Sequence, residues 1–191
     1  MTTKTASGGL STAPSSNASD RALGSPWRLT LFLLGLGAAG VVLHAGLRVP
    51  LHLPGHHGLE WMALLAFARV GTQRRWAATG AGVAACVLAY LPMWGLHDPL
   101  APLGYLFAAV AFDAFCLCIP QRWTGVIAVS AAGALAFAAA GLLGYFGGPH
   151  GWASGAPLGL WIWAYAGFGL TGTVIGAKTG AWAVRRAGRL F

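Results

Sequence analysis

Long apolar runs alternate with short polar breaks along this chain. The runs cover about Leu29–Leu47, Leu59–Thr72, Ala77–Trp94, Leu103–Ile119, Val126–Phe146 and Pro157–Ala177. A nearly uncharged run of about 18 residues or more predicts a membrane-spanning helix, and the pattern predicts six such spans. The second run is short for a hydrocarbon core of roughly 30 Å. Between the runs lie Gln73-Arg-Arg75, Gly95-Leu-His-Asp-Pro-Leu-Ala-Pro102, Pro120-Gln-Arg-Trp123 and Gly147-Gly-Pro-His-Gly-Trp152. Glycine, proline and aspartate in these breaks predict turns. Leu91-Pro-Met-Trp94 predicts a kink or a helix end with an interfacial aromatic.

Composition supports the pattern. The 191 residues are 57% hydrophobic and only 8% charged, whereas a soluble domain carries roughly a quarter charged residues. The expected fold is all-α: a polytopic membrane protein forming a compact bundle of six transmembrane helices over residues 26–182. Residues 1–25, rich in Ser, Thr, Ala and Gly, predict a disordered tail. Residues 183–191 predict a short basic tail. The run from Leu29 has no clear cleavage site and is too long for a signal peptide, so it is taken as a helix. Cys86, Cys116 and Cys118 fall inside spans, where packing is expected rather than disulfide pairing.

The net charge of +8 forms no basic stripe, which argues against nucleic acid as a partner. Its placement reports topology instead. With six spans, Lys4, Arg21, Arg28, Arg74, Arg75, Arg122, Lys178, Arg185, Arg186 and Arg189 fall on one side, and only Arg48 on the other. Cationic residues mark the cytoplasmic side. Both termini are therefore expected to be cytoplasmic, in a multi-pass protein of the inner membrane.

This topology places all six histidines at or beyond the outer ends of spans: His44, His52, His56, His57, His97 and His150. The loop Arg48-Val-Pro-Leu-His-Leu-Pro-Gly-His-His-Gly-Leu-Glu-Trp61 holds three of them, with Glu60, one of four acidic residues. If the helix after it starts early, His56 and His57 share a face with Glu60, four and three residues on. Imidazole and carboxylate are ligands for zinc, nickel, cobalt or iron. The candidate metal set is therefore His52, His56, His57, Glu60, His97 and His150, for a transition-metal ion. The same residue types also suit a hydrogen-bonded organic ligand, or histidines lying at the headgroup level. A helix dipole alone accounts for a carboxylate in the first turn. Trp61 and Trp161 are candidate walls of a ligand site with His52, His56, His57 and Glu60, although most tryptophans at this level fit an aromatic belt.

Two charges lie inside spans. Arg69 and Asp113 sit about ten residues from the outer ends of spans two and four, at similar depth. A charge in hydrocarbon costs at least about 2.5 kcal/mol, so the two are expected to pair. The alternative is that Arg69 snorkels and Asp113 meets Arg122 or Lys178. On span one, Gly35 and Ala39 make a small-residue face for a neighbouring helix, inside the protein or on a partner. The sequence has no GxSxG, no P-loop and no workable carboxylate pair, so no enzyme is expected.

The chain resembles the membrane-embedded substrate-binding subunit (S component) of energy-coupling factor transporters, most nearly the biotin-uptake type. The resemblance covers about residues 29–180. It rests on six spans in under 200 residues, the Gly35–Ala39 face, the loop Arg48-Val-Pro-Leu-His-Leu-Pro54, and Pro99-Leu-Ala-Pro-Leu-Gly-Tyr-Leu-Phe-Ala-Ala109. His52, His56 and His57 depart from the biotin pattern. The resemblance implies capture of a vitamin-like or metal-containing small molecule from outside, in a loop-capped pocket near the outer leaflet. It further implies a transmembrane coupling subunit, which the span-one face would meet, and ATPases. The alternative function is a non-transporting membrane protein that assembles with a larger complex and handles metal.

Overall fold

The computed structural model describes residues 26–46, 54–91, 101–119, 125–147 and 157–187. Among these residues there are six helices and no strand: α1 Pro26–Gly46, α2 Gly58–Thr72, α3 Ala77–Ala89, α4 Ala101–Cys118, α5 Val126–Gly147 and α6 Leu158–Ala187. Three stretches, Pro26–Gly46, Val126–Gly147 and Leu158–Arg186, are long and apolar enough to cross a membrane. Ala77–Ala89 and Pro102–Cys118 are apolar but shorter.

The shortness of the second apolar run has a structural reason. Helix α2 has 15 residues, about 22 Å at roughly 1.5 Å per residue. It is the central helix, packing on all five others and most extensively on α6. The other five follow one another as neighbours in the order α1, α3, α4, α5, α6. Trp61, Met62, Leu65, Ala66 and Ala68 of α2 are buried, and no residue between Gly58 and Thr72 is exposed. A helix sheathed in protein has no need to match the lipid thickness by itself. The same sheath lets α2 carry Glu60 and Arg69.

Small residues bring the helices together. Without a hydrophobic drive between helices in lipid, close backbone approach and packing must hold them. On α6, Gly169, Gly172, Gly176 and Gly180 form a ladder at helical spacing. A Cβ at Gly172 would strike the Leu59 carbonyl, and one at Gly176 the Ala63 carbonyl. At Gly180 it would lie 3.2 Å from the Gly71 nitrogen. Helix α1 seats on α3 through Gly37, whose added Cβ would lie 2.7 Å from both Ala84 Cβ and the Ala85 nitrogen. Gly82 meets Ala109 across the α3–α4 contact in the same way. Gly35 has open space around it and Ala39 is half-buried, so the internal contact of α1 runs through Gly37, Gly40 and Val41 instead.

Two expected boundaries change. The sixth helix does not end near Ala177 but continues to Ala187 for 30 residues, about 45 Å. Lys178–Ala187 becomes less apolar yet contains no helix breaker stronger than Gly180, which packs on α2. Residues 183–187, expected in a tail, therefore belong to this helix, where the Arg186 guanidinium lies 5.1 Å from the Trp182 ring. The third helix ends at Ala89, ahead of Leu91-Pro92, because the residue before proline is disfavoured in helical conformation. Between α2 and α3 the chain turns at Gln73, which adopts a left-handed conformation (φ 55°) and donates its N–H to the Arg69 carbonyl at 3.0 Å. That is an αL helix end.

Candidate metal centre

The turn before α2 is built by Pro54-Gly55-His56-His57. Gly55 has φ +77°, a left-handed conformation that glycine adopts without cost. A Cβ there would also press into the Tyr165 ring, at 2.7 Å. The Gly58 N–H donates to the Gly55 carbonyl at 2.8 Å, and the Leu59 N–H to His56 at 3.2 Å. The turn thus runs straight into the helix. It places His57 one turn before Glu60, and His57 Nδ1 lies 3.2 Å from Glu60 Oε1.

A third donor comes from the end of α1. The His44 ring centroid is 4.3 Å from that of His57. One ligand atom from each of His44, His57 and Glu60 can be chosen so that all lie within 4.8 Å of one another. Zinc binds nitrogen and oxygen at about 2.0–2.2 Å, which puts tetrahedral ligands about 3.3–3.5 Å apart. Side-chain rotation of about an ångström therefore closes the set around an ion. His44 Nδ1 is buried and has no hydrogen-bond partner. Buried polar atoms are nearly always paired, so this nitrogen calls for an occupant. His56 lies against His57, with ring centroids 3.9 Å apart and the planes tilted by 40°, but outside the three-donor set.

Below the donors sit Tyr105 and Trp61, whose rings meet edge to face at 5.1 Å. Tyr105 also meets His44 edge to face at 5.5 Å. The Tyr105 hydroxyl and the Trp61 indole nitrogen are buried without partners. Gly40 makes room for Trp61, since a Cβ there would lie 2.5 Å from the indole.

Of the residues singled out in the sequence, His57 and Glu60 meet, Trp61 follows Glu60 in the helix, and the His56 ring tilts against His57. Trp161 is placed elsewhere, in an aromatic column with Tyr145, Tyr165 and Phe137. His52, His97 and His150 lie outside the described residues. His44 and Tyr105 were not in the expected ligand set. The signal for His44 was its place at the outer end of span one, the same level as the loop. The last turn of α1 delivers it to His57 in the turn ahead of α2.

The ground under the turn is occupied. Gly55 rests on Tyr165, and a Cβ at Gly58 would enter the Phe137 ring. A groove of about 410 Å³ instead opens between α4 and α5, lined by Phe115, Cys118, Ile119, Ala128, Ala131, Ala132 and Leu135. It offers almost no polar group to fix a ligand.

At the other end of α2 the two charges that the sequence places inside apolar runs meet. Arg69 Nη1 donates to Asp113 Oδ1 at 2.9 Å. Asp113 is fully buried, and its Oδ2 accepts from the Thr79 N–H at 2.7 Å and from Thr79 Oγ1 at 2.8 Å. This network ties α2, α3 and α4 together without the arginine having to snorkel. A buried carboxylate with these three donors is well satisfied.

Comparison of the chain with known protein families, curated proteins and solved structures finds no match.

Proposed function

We propose that the chain is a multi-pass protein of the cytoplasmic membrane that captures a divalent transition-metal ion from the outer face at His44, His57 and Glu60. The observation that carries this reading is the meeting of two imidazoles and a carboxylate beside a buried, unpartnered His44 nitrogen. Two nitrogens and one oxygen suit zinc, nickel or cobalt better than magnesium or calcium, which prefer oxygen. An ion also fits beside a turn whose underside is filled by Tyr165 and Phe137, whereas a vitamin needs a larger cavity.

The six-span arrangement with cytoplasmic termini belongs to the same proposal. It is supported by the arginine placement and by three span-length apolar helices. The resemblance to S components supplies the context of uptake: a transmembrane coupling subunit and ATPases would provide the energy, since this sequence carries no P-loop.

Metal content of the full-length protein in detergent tests the reading. One equivalent of nickel, cobalt or zinc is expected to survive dialysis. Replacing both His44 and His57 by Ala should weaken binding by more than the roughly 10–100-fold that loss of an outer-shell partner costs. Helical content should stay unchanged. Equal metal retention by wild type and the double variant overturns the proposal. A metal-free protein held in a large stable complex would favour the assembly role instead.

A further inference from the structure

We propose that a metal ion bound at His44, His57 and Glu60 keeps one coordination position for a small oxygen-donor anion, and that the buried, unpartnered Tyr105 hydroxyl and Trp61 indole N–H receive that anion. This rests on the metal reading and specifies what travels with the ion.

Three observations lead to it. First, only three protein donors converge among the described residues, and an ion of this class takes at least four ligands. Second, two neutral imidazoles and one carboxylate leave a divalent ion with a net charge of about +1 in a half-buried place. An anionic fourth ligand removes that charge, which a low-dielectric site favours. Third, the buried groups next to the donors are themselves hydrogen-bond donors without acceptors. Tyr105 is 9% exposed and Trp61 3% exposed, and neither its hydroxyl nor its indole nitrogen has a partner.

An indole N–H donates and never accepts or ligates. A bare ion cannot satisfy it, nor can another imidazole N–H. What satisfies it is an oxygen lone pair, and a carboxylate bound to the metal through one oxygen presents another to Trp61 and Tyr105. The class of substrate is then a metal ion already carrying a small carboxylate ligand. Tyr105 acts as a positioning residue for that ligand rather than as a metal ligand, and its ring is held by edge-to-face contacts with His44 and Trp61.

Cobalt(II) makes the position visible. Full-length protein loaded with Co²⁺ in detergent is titrated with sodium formate while the visible d–d absorption is followed. Formate should shift the spectrum saturably. Tyr105→Phe should weaken formate binding about tenfold or more, as loss of an outer-shell hydrogen bond does. It should leave Co²⁺ affinity without formate within about threefold, and it should not lower the thermal midpoint of the metal-free protein, because the lost hydroxyl had no partner there. Trp61→Phe should weaken formate binding in the same direction. Tight Co²⁺ binding with a spectrum indifferent to formate, or equal formate binding by wild type and Tyr105→Phe, overturns the inference and leaves the metal reading standing. Failure of the wild type to bind Co²⁺ removes both.

Discussion

Single side chains decide most of what this protein can do, and Asp113 shows how. It is fully buried and takes three hydrogen bonds, one of them from Arg69. Asp113→Asn keeps the shape but leaves the Arg69 guanidinium without a counter-charge. Removing one partner of a buried pair costs about 3–5 kcal/mol. The combined change Arg69→Met with Asp113→Leu leaves no unpaired charge and should be less destabilising than Asp113→Asn alone. Thermal midpoints of the three proteins in one detergent check the order, and a double variant weaker than the single would show that the pair itself holds the fold. The Arg69–Asp113 contact was legible in the sequence because charge inside a span has few ways to be satisfied, and equal depth left these two facing each other. Thr79 was not legible. A hydroxyl and a backbone N–H at a helix start carry no mark that distinguishes them from any other threonine. His44 was half legible: its place near the histidine loop could be read, but the turn geometry that swings His57 toward it could not.

Among the helices, the contact between α2 and α6 is the one on which the others depend, and glycine makes it possible. Gly172 and Gly176 face the backbone carbonyls of Leu59 and Ala63, so one methyl group has nowhere to go without parting the helices. Overpacking of a tight interface costs about 1–3 kcal/mol, and Gly176→Ala should lie at the upper end because the obstacle is backbone. Gly167→Ala, on the same helix with nothing within 4 Å of an added Cβ, should be neutral or slightly stabilising, since glycine inside a helix costs about 1 kcal/mol relative to alanine. Unfolding in a denaturing detergent separates the two, and equal behaviour would mean that the helices yield to the methyl. The spacing Gly172-x-x-x-Gly176-x-x-x-Gly180 stands in the sequence, and so does the small-residue pair Gly35 and Ala39. Small residues are so frequent in this chain that spacing alone does not say which ladder is used. Only the identity of the central helix does, and that depends on which segment all the others surround.

Over the molecule as a whole, α2 joins two polar centres that the other helices enclose. Glu60 and Arg69 are nine residues apart, about 14 Å along the axis, so the proposed metal site and the Arg69–Asp113 network share a helix but no side chain. Effects of changes more than about 7–10 Å apart usually add. A metal that binds only the folded state stabilises it by about 2.7 kcal/mol at a hundred times its Kd. That increment should appear as a rise in thermal midpoint on adding Zn²⁺ or Co²⁺, and EDTA should reverse it. It should vanish in His44→Ala, which cuts the link between α1 and α2 at the ion. In Asp113→Asn the starting midpoint should be lower, yet the metal-induced stabilisation should be the same in free energy. If instead Asp113→Asn abolishes the metal increment, α2 cannot be a rigid post with independent ends. It would then have to shift along its axis between two seats on the α6 glycine ladder, carrying the state of one centre to the other.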